Sequence, residues 1–235
     1  MPIEACDSSQ WGAYRMAAGG VLWALGFLRS LSITGNQMGA AASADEATAA
    51  FVSVLRSKSP ATVAHSERVA EYAAALALAL DLPYAQVRHL ERCGLLHDIG
   101  KMGVAEEILD KPGALSDQEW HAVRAHPEMG VDILRSCPAL SPVLPVVELH
   151  HERYDGQGYP HGIGGTDLPL EVRIVTICDA YDSMTADRPY RRGLDRAEAA
   201  RRLTAGAGTQ FDADLVRTFL SRVFPEVSAS LAATA

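Results

Sequence analysis

The chain is short of several things, and each shortage excludes something. Aromatic residues make up only 6% of it, and alternating β-branched runs are rare, which argues against a sheet protein. Its four cysteines, Cys6, Cys93, Cys137 and Cys178, form no C-x-x-C pair. The simplest reading is free thiols in a reducing compartment, so a cytoplasmic location is expected. Basic residues are outnumbered, 21 Lys and Arg against 29 Asp and Glu, giving a formal net charge of −8. That field disfavours nucleic-acid polymers and anionic lipid surfaces as general partners, but leaves room for an anionic ligand in a local positive pocket. Long apolar runs are missing too. The segment from Met16 to Leu28 falls short of the about 20 residues a spanning helix needs. It follows Glu4 and Asp7 instead of a basic region, so it reads as a docking helix or appendage and not a transmembrane span, with a signal peptide cleaved near Ala42-Ser43-Ala44 as the minority reading.

What is present suits a helical protein with a real core. Of 235 residues, 48% are apolar and 21% charged, and alanine is abundant. Residues 1–44 are rich in glycine and alanine and read as an N-terminal extension with a short apolar helix; 45–225 read as one domain and 226–235 as a tail. Asp45 is expected to cap a first helix ending near Arg56. Ser59-Pro60 reads as a cap followed by a first helical residue. The run through Val63, Ala70, Ala73, Leu76, Ala77 and Leu80 then keeps the spacing of one buried helix face. Leu82-Pro83 restarts the chain into a helix reaching Leu96. Ser116 to Glu119 is a capping box, and its helix should break at Pro127. Further helices are expected over Pro142 to His151, Leu168 to Thr185, Asp195 to Ala205 and Asp212 to Val223, making an all-α bundle.

Histidine and aspartate carry the chemistry. His97-Asp98 ends an apolar turn and precedes Ile99-Gly100-Lys101. Consecutive helical residues point about 100° apart, so both side chains can serve one site only at a bent helix end; Gly100 is expected to supply the bend. His65, His126, His150, His151 and Asp179 sit on other helices, near an end or in apolar surroundings where an unpartnered polar group is costly. Imidazole with carboxylate suits iron, manganese or zinc. Any one of these residues alone reads more often as a satisfied core group than as a ligand; as a set they read as a metal site. His89, His121 and His161 are read as solvated or structural, and the glycines from 156 to 165 as turn residues, since they lack phosphate-loop spacing.

From His65 to Phe219 the chain resembles HD-GYP domains of the HD phosphohydrolase superfamily. His65-Ser66-Glu67-Arg68-Val69 matches H-x-x-R-V, His97 to Lys101 matches H-D-x-G-K, and His126 to Gly130 matches H-P-x-x-G. His150 to Pro160 reproduces H-H-E-x-x-D-G-x-G-Y-P in full. Asp179 to Asp182 with Arg188-Pro189-Tyr190-Arg191, and Gly208 to Asp212, resemble the blocks that follow, with Ala213 in place of a common proline. The resemblance implies an HD-domain-like helical bundle with its metal site at converging helix ends. It implies hydrolysis of cyclic di-GMP to linear pGpG, and to GMP afterwards, by water activated between two divalent ions, iron or manganese. Asp98 would bridge them. His65, His97 and Asp179 would complete one site, and His126, His150 and His151 the other. A glutamate of three-metal members is Ala61 here, which implies two ions, the alternative being that water replaces the lost ligand. Lys101 would serve the transferring phosphoryl group, and Lys101, Tyr159, Arg188 and Arg191 would contact substrate. The alternatives are another cyclic dinucleotide or nucleotide as substrate, or a catalytically weak dinucleotide receptor. The protein is read either as constitutively active or as taking input from a separate sensor or regulatory protein docking near Trp23 and Phe27, a segment that otherwise packs on its own domain or on a homodimer mate.

Overall fold

The computed structural model describes residues 43–187 and 192–225. The expected apolar helix near Trp23, together with Arg188 and Arg191, lies outside the described residues. Among the described residues the regular structure is helical, apart from one isolated bridge between Ala207 and Phe211. The elements are α1 (Ala44–Lys58), α2 (Pro60–Ala79), α3 (Tyr84–Leu96), α4 (Glu106–Leu109), α5 (Asp117–Arg124), α6 (His126–Leu134), α7 (Leu144–Leu149), α8 (Leu170–Thr185), α9 (Arg196–Ala205) and α10 (Ala213–Thr218). Short 3-10 turns lie at Ile99–Gly103, Pro138–Val143 and Gly165–Asp167, and a π turn, Phe219–Val223, follows α10. The all-α expectation holds for these residues.

Local chemistry sets most of the helix ends. The Ser59 side chain accepts the Thr62 amide with Pro60 in the first turn, and Ser116 and Glu119 close the expected capping box. Asp195 and Asp212 cap α9 and α10. One cap differs from the sequence reading. Ser43, not Asp45, caps α1, in a second capping box with Glu46. Asp45 faces α3 instead, 3.0 Å from Arg92 and 3.2 Å from Arg88, an ion pair that competes with the capping role. The expected helix from Pro142 to His151 is also shorter: Pro142 lies within a 3-10 turn, and α7 ends at Leu149.

The long helices α2, α3 and α8 form the centre of the bundle. The buried face of α2 includes Val63, Val69, Ala70, Ala73, Ala74, Leu76 and Ala77; Leu80, placed on that face by its spacing, is only partly buried. Small residues let α2 and α3 approach closely. A methyl on Gly94 of α3 would lie 2.5 Å from the Ala70 Cα. Against α2, α8 contributes Val172, Ile174, Val175, Ile177, Cys178 and Tyr181, and Tyr181 closes an aromatic cluster with Tyr72, Phe219 and Phe224. This core holds α2, α3 and α8 so that His65, the end of α3 and Asp179 come together.

Gly94→Ala is expected to push α2 and α3 apart and to lower folding stability by about 1–3 kcal/mol, the usual cost of overpacking. Urea denaturation followed by helical circular dichroism measures it. An unchanged midpoint would show that the close helix contact is not needed.

Candidate metal centre

His65 comes from α2, His97 and Asp98 from the end of α3, His126 from the start of α6, His150 and His151 from the end of α7, and Asp179 from α8. The structure brings all seven together. One group of donor atoms comprises His65, His97 and Asp98, and a second comprises His126, His150 and His151, each within 4.8 Å of one another.

Backbone contact makes the convergence possible. The 3-10 turn after Asp98 packs on α6, and a Cβ on Gly100 would lie 1.8 Å from the His126 carbonyl oxygen. Gly130, one turn along α6, faces the same strip, where a Cβ would meet Val147 at 2.6 Å and the Gly100 amide at 3.2 Å. Gly100 is not in the left-handed region. It is therefore needed for close approach, and this corrects the expectation that its backbone freedom supplies a bend.

Asp98 is 2% exposed and lies between the two groups. Its Oδ2 faces His97 Nε2 at 3.4 Å and His65 Nε2 at 3.7 Å. Its Oδ1 faces His126 Nε2 at 3.2 Å and His150 Nε2 at 3.8 Å. Lys101 Nζ donates to Oδ2 at 2.5 Å. Burial opposes ionisation, but Lys101 and His97 hold the carboxyl well below the usual carboxylate range, so the site carries a fixed negative charge between imidazoles.

Hydrogen bonds fix the ring orientations. Nδ1 of His97 donates to the Gly94 carbonyl at 2.8 Å, Nδ1 of His126 to Val123 at 2.6 Å, and Nδ1 of His150 to Val147 at 3.0 Å. A carbonyl only accepts, so each neutral ring keeps its proton on Nδ1 and presents an Nε2 lone pair inward. His97 Nε2 is buried without a hydrogen-bond partner. The Nε2 atoms of His126 and His150 lie 3.1 Å apart, where two lone pairs repel unless a proton or cation stands between them. Burial depresses the His150 pKa well below its usual value, and that of His151 to about 4, which leaves a cation as the natural occupant. The donor set therefore fits divalent metal ions, at two adjoining positions that share Asp98.

His65 is held differently. Its Nδ1 lies 2.6 Å from Asp182 Oδ2, and Arg68 grips the same carboxylate through Nε at 2.6 Å and Nη2 at 2.9 Å. Its Nε2 faces Asp179 Oδ1 at 3.2 Å. Burial alone would lower the His65 pKa, but the hydrogen bonds to Asp179 and Asp182 outweigh it and push it up to about 9. A proton on Nε2 thus stands where a cation would bind. Sequence reading gave Asp182 and Arg68 no role, although each sits one turn beyond a candidate ligand, at i+3 on the same helix face. Ala61, one turn before His65, is exposed and brings no donor.

The glycine-rich loop forms the rim. Tyr159 stacks on His151, with centroids 4.8 Å apart and planes 21° apart, and the Arg124 guanidinium lies over the Tyr159 ring, 5.3 Å from its centroid. Burial pushes the Tyr159 hydroxyl up to about 12. Glu152, 1% exposed, anchors the loop by accepting the amides of His161 at 2.6 Å and Gly162 at 2.9 Å. Tyr154 and Asp155 donate their amides to the Gln210 and Thr209 carbonyls, joining this loop to the segment that opens α10. His161 is exposed and pairs with Glu148, while His89 lies against Cys93.

Residues 50–215 match the HD domain family, and the chain belongs to that family. Among curated proteins it is 44% identical over 170 residues to the cyclic di-GMP phosphodiesterase PA4108 of Pseudomonas aeruginosa, covering 72% of this chain and 41% of that protein. It is 43% identical over 145 residues to 3′3′-cGAMP-specific phosphodiesterase 3 of Vibrio cholerae, covering 62% of this chain and 32% of that protein. The chain thus spans less than half the length of these relatives. Among solved structures it resembles the HD domain of the L. monocytogenes phosphodiesterase PgpH, with a TM-score of 0.55 at 16% identity, covering 77% of this chain and 98% of that one. It also resembles Bd1817 of Bdellovibrio bacteriovorus, with a TM-score of 0.56 at 21% identity, covering 67% of this chain and 50% of that one. At these identities the structures show a shared fold.

Two expectations follow from the His65 surroundings. Asp182→Asn removes the charge that orients the ring and should weaken metal binding about 10- to 100-fold, read by competition with a chromophoric chelator; unchanged affinity would contradict a positioning role. At pH 7.5 a metal entering the apo-protein must displace the His65 proton, so apparent affinity should rise up to pH 9, with proton uptake by the buffer visible in calorimetry across buffers of different ionisation enthalpy. The sign for stability is the reverse. In the metal-free fold the raised pKa stabilises fully below the ordinary 6.5, and that contribution is lost as pH rises through about 9.

Proposed function

We propose that this chain is a metal-dependent phosphodiesterase that hydrolyses cyclic di-GMP to linear pGpG, with GMP as a further product. The observation that carries this reading is the placement of Asp98, one carboxylate oxygen toward each of two adjoining histidine groups. His65, His97, Asp98 and Asp179 would hold one divalent ion, and Asp98, His126, His150 and His151 the other, with iron or manganese favoured by the imidazole and carboxylate donors. Two such ions supply the chemistry of phosphodiester hydrolysis: an activated water and polarisation of a phosphoryl oxygen.

The chain's own groups supply the rest. Lys101, three residues from Asp98 and partly exposed, would turn its ammonium toward charge growing on the phosphoryl oxygens. Tyr159, stacked on His151, offers an aromatic wall beside the reacting phosphate. Arg188 and Arg191 are assigned to substrate binding by their motif position. The glycine-rich loop, pinned by Glu152 and by its bonds to the segment before α10, holds Tyr159 in place together with the His151 carbonyl, which accepts the Tyr159 amide at 3.3 Å.

The V. cholerae relative at 43% identity is named as 3′3′-cGAMP-specific, which supports a second reading in which the same site takes that mixed cyclic dinucleotide. Assays of the anaerobically purified protein with both nucleotides separate the two. Cyclic di-GMP is expected to turn over faster, with about two metals per chain. Asp98→Ala should abolish both turnover and the full metal complement, and Lys101→Met should lower kcat/KM about a hundredfold. Preferred turnover of 3′3′-cGAMP would replace the substrate, and metal-loaded protein inert toward both would sink the enzymatic reading.

A further inference from the structure

Most of the described arginines pair with a carboxylate: Arg56 with Glu67, Arg68 with Asp182, Arg92 with Asp45, Arg153 with Asp155, Arg173 with Asp212. Arg124 does not. It makes no ion pair with any described residue, it is exposed, and its guanidinium lies 5.3 Å from the centroid of Tyr159. Tyr159 is in turn stacked on His151. Arg124 is thus a cation at the rim, in contact with the tyrosine that stacks on a candidate metal ligand. The helix end that carries it is fixed to the same centre, because the carbonyl of the preceding residue, Val123, accepts the His126 Nδ1 proton at 2.6 Å.

A cyclic dinucleotide brings two phosphodiester charges. Metal ions held at the centre would neutralise one. The other must sit at the rim of a protein whose formal net charge is −8, and needs a local cation there. A guanidinium resting on an aromatic face keeps its N–H groups free along its edge, the geometry that takes two phosphate oxygens at once. Cation–π contact also limits the side-chain entropy lost when a ligand arrives.

We propose that Arg124 binds the second, non-reacting phosphodiester of the cyclic dinucleotide, and so selects two-phosphate rings over single phosphodiesters. This rests on the reading of the site given above and adds a substrate contact on α5.

The test uses the metal-loaded full chain as wild type, Arg124→Ala and Arg124→Lys. Three probes are compared: cyclic di-GMP as substrate, bis(p-nitrophenyl) phosphate as a substrate with one phosphodiester and no base, and guanylyl(3′→5′)guanosine as a competitive inhibitor with two guanines and one phosphodiester. Arg124→Ala is expected to raise KM for cyclic di-GMP about tenfold or more, with kcat, metal content and both other probes unchanged. Arg124→Lys should recover part of the loss, since it keeps the charge without the fork. Equal weakening of cyclic di-GMP and guanylylguanosine would assign Arg124 to the base and overturn the proposal. Loss across all three probes would make it a prop for Tyr159, and no change would remove it from the site; either overturns the proposal. Wild-type protein that cleaves the nitrophenyl ester but neither binds nor cleaves cyclic di-GMP would overturn the substrate reading itself, an outcome visible before any variant is compared.

Discussion

A carboxylate buried to 2% exposure among imidazoles is the constraint on which the rest of this structure depends. Ionised and alone, Asp98 would be costly to bury. It is tolerable in part because Lys101 pairs with it, while four histidine rings face it from α2 and from the ends of α3, α6 and α7. Those rings bring a difficulty of their own. Three have their Nδ1 protons committed to backbone carbonyls, so they present lone pairs to one another as well as to the carboxylate. Cations resolve both problems at once, cancelling the charge of Asp98 and separating the lone pairs. Stability and chemistry therefore meet in the same few side chains.

The bundle is built to permit that meeting. Gly94 lets α3 lie close on α2, and Gly100 and Gly130 let the turn after Asp98 touch α6 backbone to backbone. A methyl group at any of these positions collides with backbone or core. The two halves of the centre are also supported unequally. On one side His65 rests on a carboxylate that is itself held by Arg68; on the other, His126 and His150 rest on neutral carbonyls. Partners that hold a ligand's second nitrogen set its orientation and basicity, so Asp182 acts on the centre from behind His65.

Much of this was legible in the sequence, for physical reasons. Ser59-Pro60 and the Ser116–Glu119 box act within one turn, so their helix starts could be read locally. Seven candidate donors stood out because histidine and aspartate are conspicuous in apolar helices. Pairings across long separations were not legible. Asp182 meets Arg68 across 114 residues, and nothing local tells that carboxylate from a solvated one. Asp45 was misread for the same reason: it looks like a cap, but Arg88 and Arg92 lie one helix away. Gly100 shows a third kind of limit, since glycine signals both backbone freedom and close approach, and only packing decides between them. Arg124 belongs with the long-range cases, since its Tyr159 partner lies 35 residues further along the chain.

The central claim is that Asp98 joins two adjoining metal positions, and anomalous diffraction from crystals of the manganese-loaded protein tests it most directly. The account predicts two peaks, one on the Oδ2 side among His65, His97 and Asp179, the other on the Oδ1 side among His126, His150 and His151. A single ion, or ions that leave Asp98 unligated, would contradict it.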